Sequence, residues 1–156
     1  MIAIEDASAT SNAEDDLAAA VAGVVRALGA HLYGFNHLPG ALVEYRPTIP
    51  PRFHYRDVLR TPQQRAPALV HEFCHVVLHP PGSQSGGEHE HPDEERAVHE
   101  AADRICKARG VEGYRSLMAS HGVVVTPTLP EDEPLVDSVT ERVLSALEDP
   151  GSAAGW

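Results

Sequence analysis

The sequence predicts an α+β domain in which a small antiparallel sheet packs on helices. Three observations carry that reading. Two strand-like segments, 41–46 and 52–56, are separated by Pro47, Pro50 and Pro51. Several later and earlier segments repeat apolar residues at helical spacing. Between them lies a run that is apolar on every side, from Ala66 to Leu78, as a buried helix requires. At 156 residues the chain is long enough for one domain with its own core.

Taken in order, residues 1–10 show no core-forming pattern and are expected to be disordered. Ser11-Asn12-Ala13-Glu14 reads as a capping box, opening a helix over roughly 12–28. Its stripe is Leu17, Val21, Val24, Val25 and Leu28, and Gly29 is suited to close it. Leu32, Tyr33 and Phe35 form a short strand-like segment leading to a turn at Leu38-Pro39-Gly40. Ala41–Arg46 and the alternating Arg52–Arg56 read as two antiparallel strands. Thr61-Pro62-Gln63-Gln64 then starts a second helix: Thr caps, Pro takes the first helical position, and Gln completes the box. Pro67 inside it predicts either a kink or a regular part that begins near Ala66. Pro80-Pro81-Gly82 ends the helix.

Residues 80–93 are a loop rich in Gly, Ser, Glu and His. A third helix is expected from Glu94 to Arg109, with the stripe Val98, Ala101, Ala102 and Ile105. Residues 114–119 suit a short helix and Val123-Val124-Val125 a short strand or extended segment. The main domain would thus cover 11–126. Residues 127–149 read as an acidic, proline-rich linker followed by an amphipathic helix, and 150–156 as a loose tail.

The chemistry concentrates in His71-Glu72-Phe73-Cys74-His75, an HExxH motif. Positions i and i+4 share a helix face, so His71 and His75 can direct two imidazoles at one ion. Glu72 follows the first of them, where it can take a proton from a water activated by the metal. An unpaired polar group buried in an apolar helix costs roughly 2–7 kcal/mol, and a metal offsets that cost. The alternative is two helix histidines hydrogen-bonded to backbone.

A catalytic zinc takes three protein ligands and keeps one position open. The third must come from elsewhere: His89 and His91 in the loop, or Glu94, Glu95, His99 and Glu100 on the third helix. Glu94 lies four residues before Val98 and continues the apolar stripe, which makes it the first choice. Glu95, on the flank, is second and His99 third, while Glu100 points to the far side. Without the motif, Glu94 would be read as an acidic residue suited to a helix N-terminus. His79 shares the face of His75 but stands about 6 Å further along the axis, as a supporting histidine. An oxyanion stabiliser is also needed, and Tyr114, His99 and His121 are the candidates.

The whole chain narrows the partners. Twelve Lys and Arg against 23 Asp and Glu give a net charge of −11, which argues against nucleic acid or an anionic membrane as partner. No stretch approaches the ~20 apolar residues of a membrane span, and the first residues lack the basic flank and apolar core of a signal peptide. Cys74 and Cys106 fall on apolar helix positions and make no disulfide framework. A cytoplasmic location is expected.

The order of these parts resembles the ImmA/IrrE family of zinc metallopeptidases over about Leu28–Arg109, half of the chain. The likeness rests on Tyr33-Gly34, the turn at Pro39-Gly40, Gln64-Arg65, and His71-Glu72-Phe73-Cys74-His75-Val76-Val77-Leu78-His79 where the family has HELGHxxLH. A helix with Glu94, Ala97, Ala101 and Ala102 follows at the family's spacing. Cys74 stands where the family has Gly, Val98 where it has Asn, and the family's Leu-Met-Pro after this helix is missing. The resemblance implies a zincin-like minimal metallopeptidase core and a zinc ion on His71, His75 and Glu94. It also implies Glu72 as the base and a protein or peptide substrate, such as a helix-turn-helix transcriptional repressor. Two other readings remain: a zinc enzyme of the same fold acting on a small molecule in a biosynthetic pathway, and a non-catalytic zinc-stabilised interaction module.

Overall fold

The computed structural model describes residues 2–36, 41–83 and 92–156, with side chains from Asn12 onward in the first segment and from Asp93 onward in the last. In chain order the elements are α1 (Ile2–Ala27), β1 (His31–Phe35), β2 (Val43–Arg46), β3 (Arg52–Arg56), α2 (Pro62–Leu78), α3 (Pro92–Ala108), α4 (Tyr114–Ser120) and α5 (Glu133–Glu148). Short 3-10 segments at Pro130–Asp132 and Pro150–Gly155 flank α5. The fold is α+β.

The sheet is mixed, which corrects the expected antiparallel one. Its order is β1-β3-β2. β2 and β3 pair antiparallel, with Val43 opposite Tyr55 and Arg46 opposite Arg52. β1 adds to the other side of β3 in parallel, with His31 opposite Arg52 and Phe35 opposite Arg56. β2 takes one edge of β3 and β1 the other, where it runs in β3's direction. Sequence alternation reports faces and not neighbours. Phe53 and Tyr45 stack with ring centroids 5.5 Å apart and, with Phe73 of α2, tie the sheet to the buried helix.

α2 bears out its start signals. Thr61 accepts from the Gln64 amide, and the Gln64 side chain accepts from the Thr61 amide, so both halves of the capping box form. The helix runs through Pro67 without interruption. That proline lies in the second turn, four residues before His71, so its missing N–H costs a bond near the helix start and spares the motif. Residues 66–77 are all buried.

Three expectations fail at the ends of the chain. α1 begins at Ile2 and not at Ser11. Residues 2–10 contain no Gly or Pro and three alanines, so nothing stops the helix there. The supposed linker docks: Asp132 is buried, accepts from the Leu129 amide at 2.8 Å and pairs with Arg96 at 3.1 Å. α5 then places Val136, Val139, Val143 and Leu147 in the same core as α1, α2 and α3. The tail is docked too. Ala153 is buried, and Trp156 approaches Phe73 with ring centroids 6.1 Å apart. Gly23 makes room for this: a Cβ there would sit 3.0 Å from Pro150 Cγ. Glycine inside a helix costs roughly 1 kcal/mol against alanine, and here it admits the C-terminal turn against α1.

Cys74 and Cys106 are both buried free thiols. Burial pushes Cys74 well above the usual thiol range and Cys106 up to about 12, so neither is a ready nucleophile. Residues 123–125 carry no strand pairing among the described residues. The turn at 38–40 and the loop histidines 89 and 91 lie outside the described residues. No described helix is long and apolar enough to cross a membrane.

Candidate metal centre

α2 and α3 pack side by side and bring their polar residues together at one end. His71, Glu72 and His75 come from α2, and Glu94, Glu95 and His99 from α3. All but Glu94 and Glu95 are at least nine-tenths buried. The Nε2 atoms of His71 and His75 are 3.2 Å apart. Glu95 reaches both rings: Oε1 lies 2.7 Å from His75 Nε2, and Oε2 lies 3.5 Å from His71 Nε2. The same Oε2 is 3.4 Å from His99 Nε2. Two overlapping trios therefore exist, His71-His75-Glu95 and His71-Glu95-His99. His71 and Glu95 belong to both.

Glu94, the first choice from sequence, lies on the other side of His75. Its Oε2 is 3.0 Å from His75 Nδ1, and its Oε1 is 2.8 Å from His79 Nε2. Burial alone would raise the Glu94 carboxyl, but hydrogen bonds from His75 and His79 outweigh it and hold the group ionised. Only His75 can then supply the proton, so Nδ1–H donates to Glu94 and Nε2 is left facing His71 and Glu95. Glu94 orients a ligand candidate, and Glu95 stands among the nitrogens. Glu100 is turned away, pairing with Arg115 and with Arg104.

These donors fit a zinc ion. Ligands about 2.0–2.1 Å from a tetrahedral zinc lie roughly 3.3 Å from one another, close to the separations found here. The 2.7 Å contact between His75 Nε2 and Glu95 Oε1 does not have hydrogen-bond geometry, and that buried oxygen makes no hydrogen bond. Imidazoles and a carboxylate placed this close form a group that could hold a metal ion. Burial would lower His75, yet hydrogen bonding to Glu94 and the neighbouring Glu95 carboxylate raise it well above the usual histidine range. Glu95 is held far below the usual carboxylate range despite its burial, by His71 and His75.

Glu72 is buried beside this group, with Oε1 3.9 Å from His71 Nε2. Above the site opens a cleft of about 270 Å³. Ala41, Leu42, Val43, Met118 and residues 122–124 line it together with His71, Glu72, Glu95 and His99. Among the oxyanion candidates, His99 reaches this cleft and His121 does not line it. The Tyr114 hydroxyl is already engaged, 2.8 Å from both His71 Nδ1 and His99 Nδ1. That buried bridge was missed by sequence reasoning. Glu95, ranked second from sequence, shares a face with His99 and Asp103, a polar stripe at i, i+4 and i+8 next to the apolar one, and both His99 and Asp103 are buried.

His99 gives the metal-free protein a distinct pH response. Burial, followed by the His71 charge, lowers its pKa from 6.5 to about 3. The unfolded chain binds a proton at this histidine below pH 6.5, and the folded chain does not until about pH 3. Stability therefore falls as pH falls through that window, by up to about 1.4 kcal/mol per pH unit. Glu94 and Glu95, both lowered from 4.5, add to the loss only below that value. His75 has the opposite sign: its contribution is complete below pH 6.5 and is lost as pH rises through its raised value. Urea unfolding of the metal-free protein between pH 6.5 and 4.5 reads His99 together with His54, whose burial and the Arg46 charge also lower it. His99→Gln should flatten that limb, and an unchanged slope would show that His99 is not held neutral.

No protein-family profile, no curated protein and no solved structure matches the chain significantly.

Proposed function

We propose that this protein is a zinc-dependent hydrolase that cleaves a polypeptide, in the manner of the ImmA/IrrE metallopeptidases its motifs resemble. The observation that carries the reading is the cluster of His71, His75 and Glu95 around one point, with buried Glu72 beside it and a cleft above. Zinc held by these three side chains would polarise a scissile carbonyl and lower the pKa of water to about 7. Glu72 takes the proton of the attacking water and passes it to the leaving amine. Glu94 holds His75 in the tautomer that binds metal through Nε2, the usual office of a carboxylate behind a ligand histidine. The low-dielectric walls strengthen each of these interactions.

The peptide substrate is favoured by the sheet. β2 is an edge strand, and residues just before and at its start line the cleft. An edge strand offers backbone N–H and C=O groups to an extended chain laid beside it. The net charge of −11 suits a basic protein substrate, for which a helix-turn-helix repressor is the first candidate. The reading puts the enzyme in the cytoplasm, where two buried thiols stay reduced.

The test is direct. Purified protein should carry one equivalent of zinc by elemental analysis. It should cleave a repressor encoded beside its gene, stop when the metal is chelated, and resume when zinc is restored. A protein without bound metal would overturn the metal site. A fully loaded protein that leaves such substrates intact would overturn the peptidase reading and favour a small-molecule enzyme or a binding module.

A further inference from the structure

The Tyr114 hydroxyl sits between two histidines of the cluster. It is 2.8 Å from His71 Nδ1 and 2.8 Å from His99 Nδ1, and Tyr114 is 2% exposed. A phenol has one proton to give. It can donate to one imidazole nitrogen and accept from another, but it cannot donate to both. If it donates to His99, then His71 must donate to it, and the reverse holds equally. When both rings are neutral, as metal binding at His71 requires, they are therefore locked in opposite tautomers. One presents a bare Nε2 to the cluster, and the other presents an Nε2–H.

The surroundings decide which is which. His75 has its Nδ1–H committed to Glu94, so its Nε2 is a metal donor, and His71 Nε2 lies 3.2 Å from it. His99 Nε2 lies 3.4 Å from Glu95 Oε2, which can only accept. A bare His99 nitrogen there would set lone pair against carboxylate. Resting on the metal-site reading above, we propose that Tyr114 is a positioning residue that divides the roles of two histidines. His71 is held with Nδ1–H and a bare Nε2 for the metal; His99 is held with Nε2–H as a hydrogen-bond donor toward Glu95 and the cleft. The ligand trio is then His71, His75 and Glu95. His99 is left to donate to an oxygen of a bound substrate, and Tyr114 itself never touches that substrate.

Nitrogen NMR on histidine-labelled protein reads this without any activity assay. In the zinc-loaded protein, long-range proton–nitrogen correlations should show His71 protonated at Nδ1 with Nε2 shifted by metal. They should show His99 protonated at Nε2 with a bare Nδ1, and a His99→Gln spectrum assigns the ring. Metal-shifted Nε2 on His99, with Nδ1–H there, would overturn the inference and leave the metal site standing. No zinc-induced change on any of these rings would overturn both. Zinc affinity, measured in competition with a chromophoric chelator, gives the second arm. Tyr114→Phe should weaken binding by about 10–100-fold, the usual effect of losing a group that orients a ligand. His99→Gln should leave affinity nearly unchanged, and loss of zinc from that variant would overturn the assignment.

Discussion

Glu72→Gln is expected to keep its zinc and its fold and to lose hydrolysis by at least 10²–10⁴-fold, the usual contribution of a positioned acid–base group. The residue is 5% exposed, and its carboxylate lies 3.9 Å from His71 Nε2. That is close enough to serve a water at the site, and outside the trio that would bind the ion. Glutamine keeps the length and the shape but cannot take a proton. Its amide is also cheaper to bury than a carboxylate, so thermal stability should be unchanged or slightly raised. Zinc content, melting temperature and cleavage rate are measured on one preparation. Activity equal to wild type would end the hydrolase reading. Loss of zinc would instead move Glu72 into the ligand set.

Much of this architecture was legible because it is written in local chemistry. The Thr61-Pro62-Gln64 start signal works through atoms within one helical turn, and it forms as read. The apolar stripe of α3 is a matter of rotation about one axis, and Val98, Ala101, Ala102 and Ile105 are all fully buried. What failed depends on distant partners. β1 alternates like a strand, but nothing in it says that β3 lies beside it in parallel. The stretch from Pro127 to Pro134 has the composition of a linker, and only Arg96 on another helix makes Asp132 a docking point. Trp156 looked loose because Phe73, its partner, is 83 residues away.

The motif itself fixed one half of the site and left the other open. His71 and His75 are related by helix geometry alone, which a sequence reports well. The third donor depends on how α3 passes α2. Glu94 and Glu95 point about 100° apart around a helix, and both reach His75, one at each ring nitrogen. A stripe gives the face that turns inward. It does not give the side of an imidazole on which each carboxylate lands. The buried Glu95-His99-Asp103 stripe carried that information, since charged residues repeated at i+4 beside a core need partners there.

Replacing the two glutamates separately turns this geometry into a measurement. Glu95→Ala removes the oxygens 2.7 Å from His75 Nε2 and 3.5 Å from His71 Nε2, leaving two neutral nitrogens to hold the ion. Zinc affinity should fall by more than the roughly 100-fold that marks loss of an outer partner. Glu94→Ala leaves all three donors in place and removes only the acceptor 3.0 Å behind His75 Nδ1. The ring can then adopt the other tautomer, which puts a proton on the nitrogen meant for the metal, so affinity should fall by about 10–100-fold. Both are read by chelator competition at one pH, since protons compete for His75 in either variant. The order of the two losses is the result that matters. A larger loss for Glu94→Ala than for Glu95→Ala would restore Glu94 as the ligand, and with it the face first chosen from sequence.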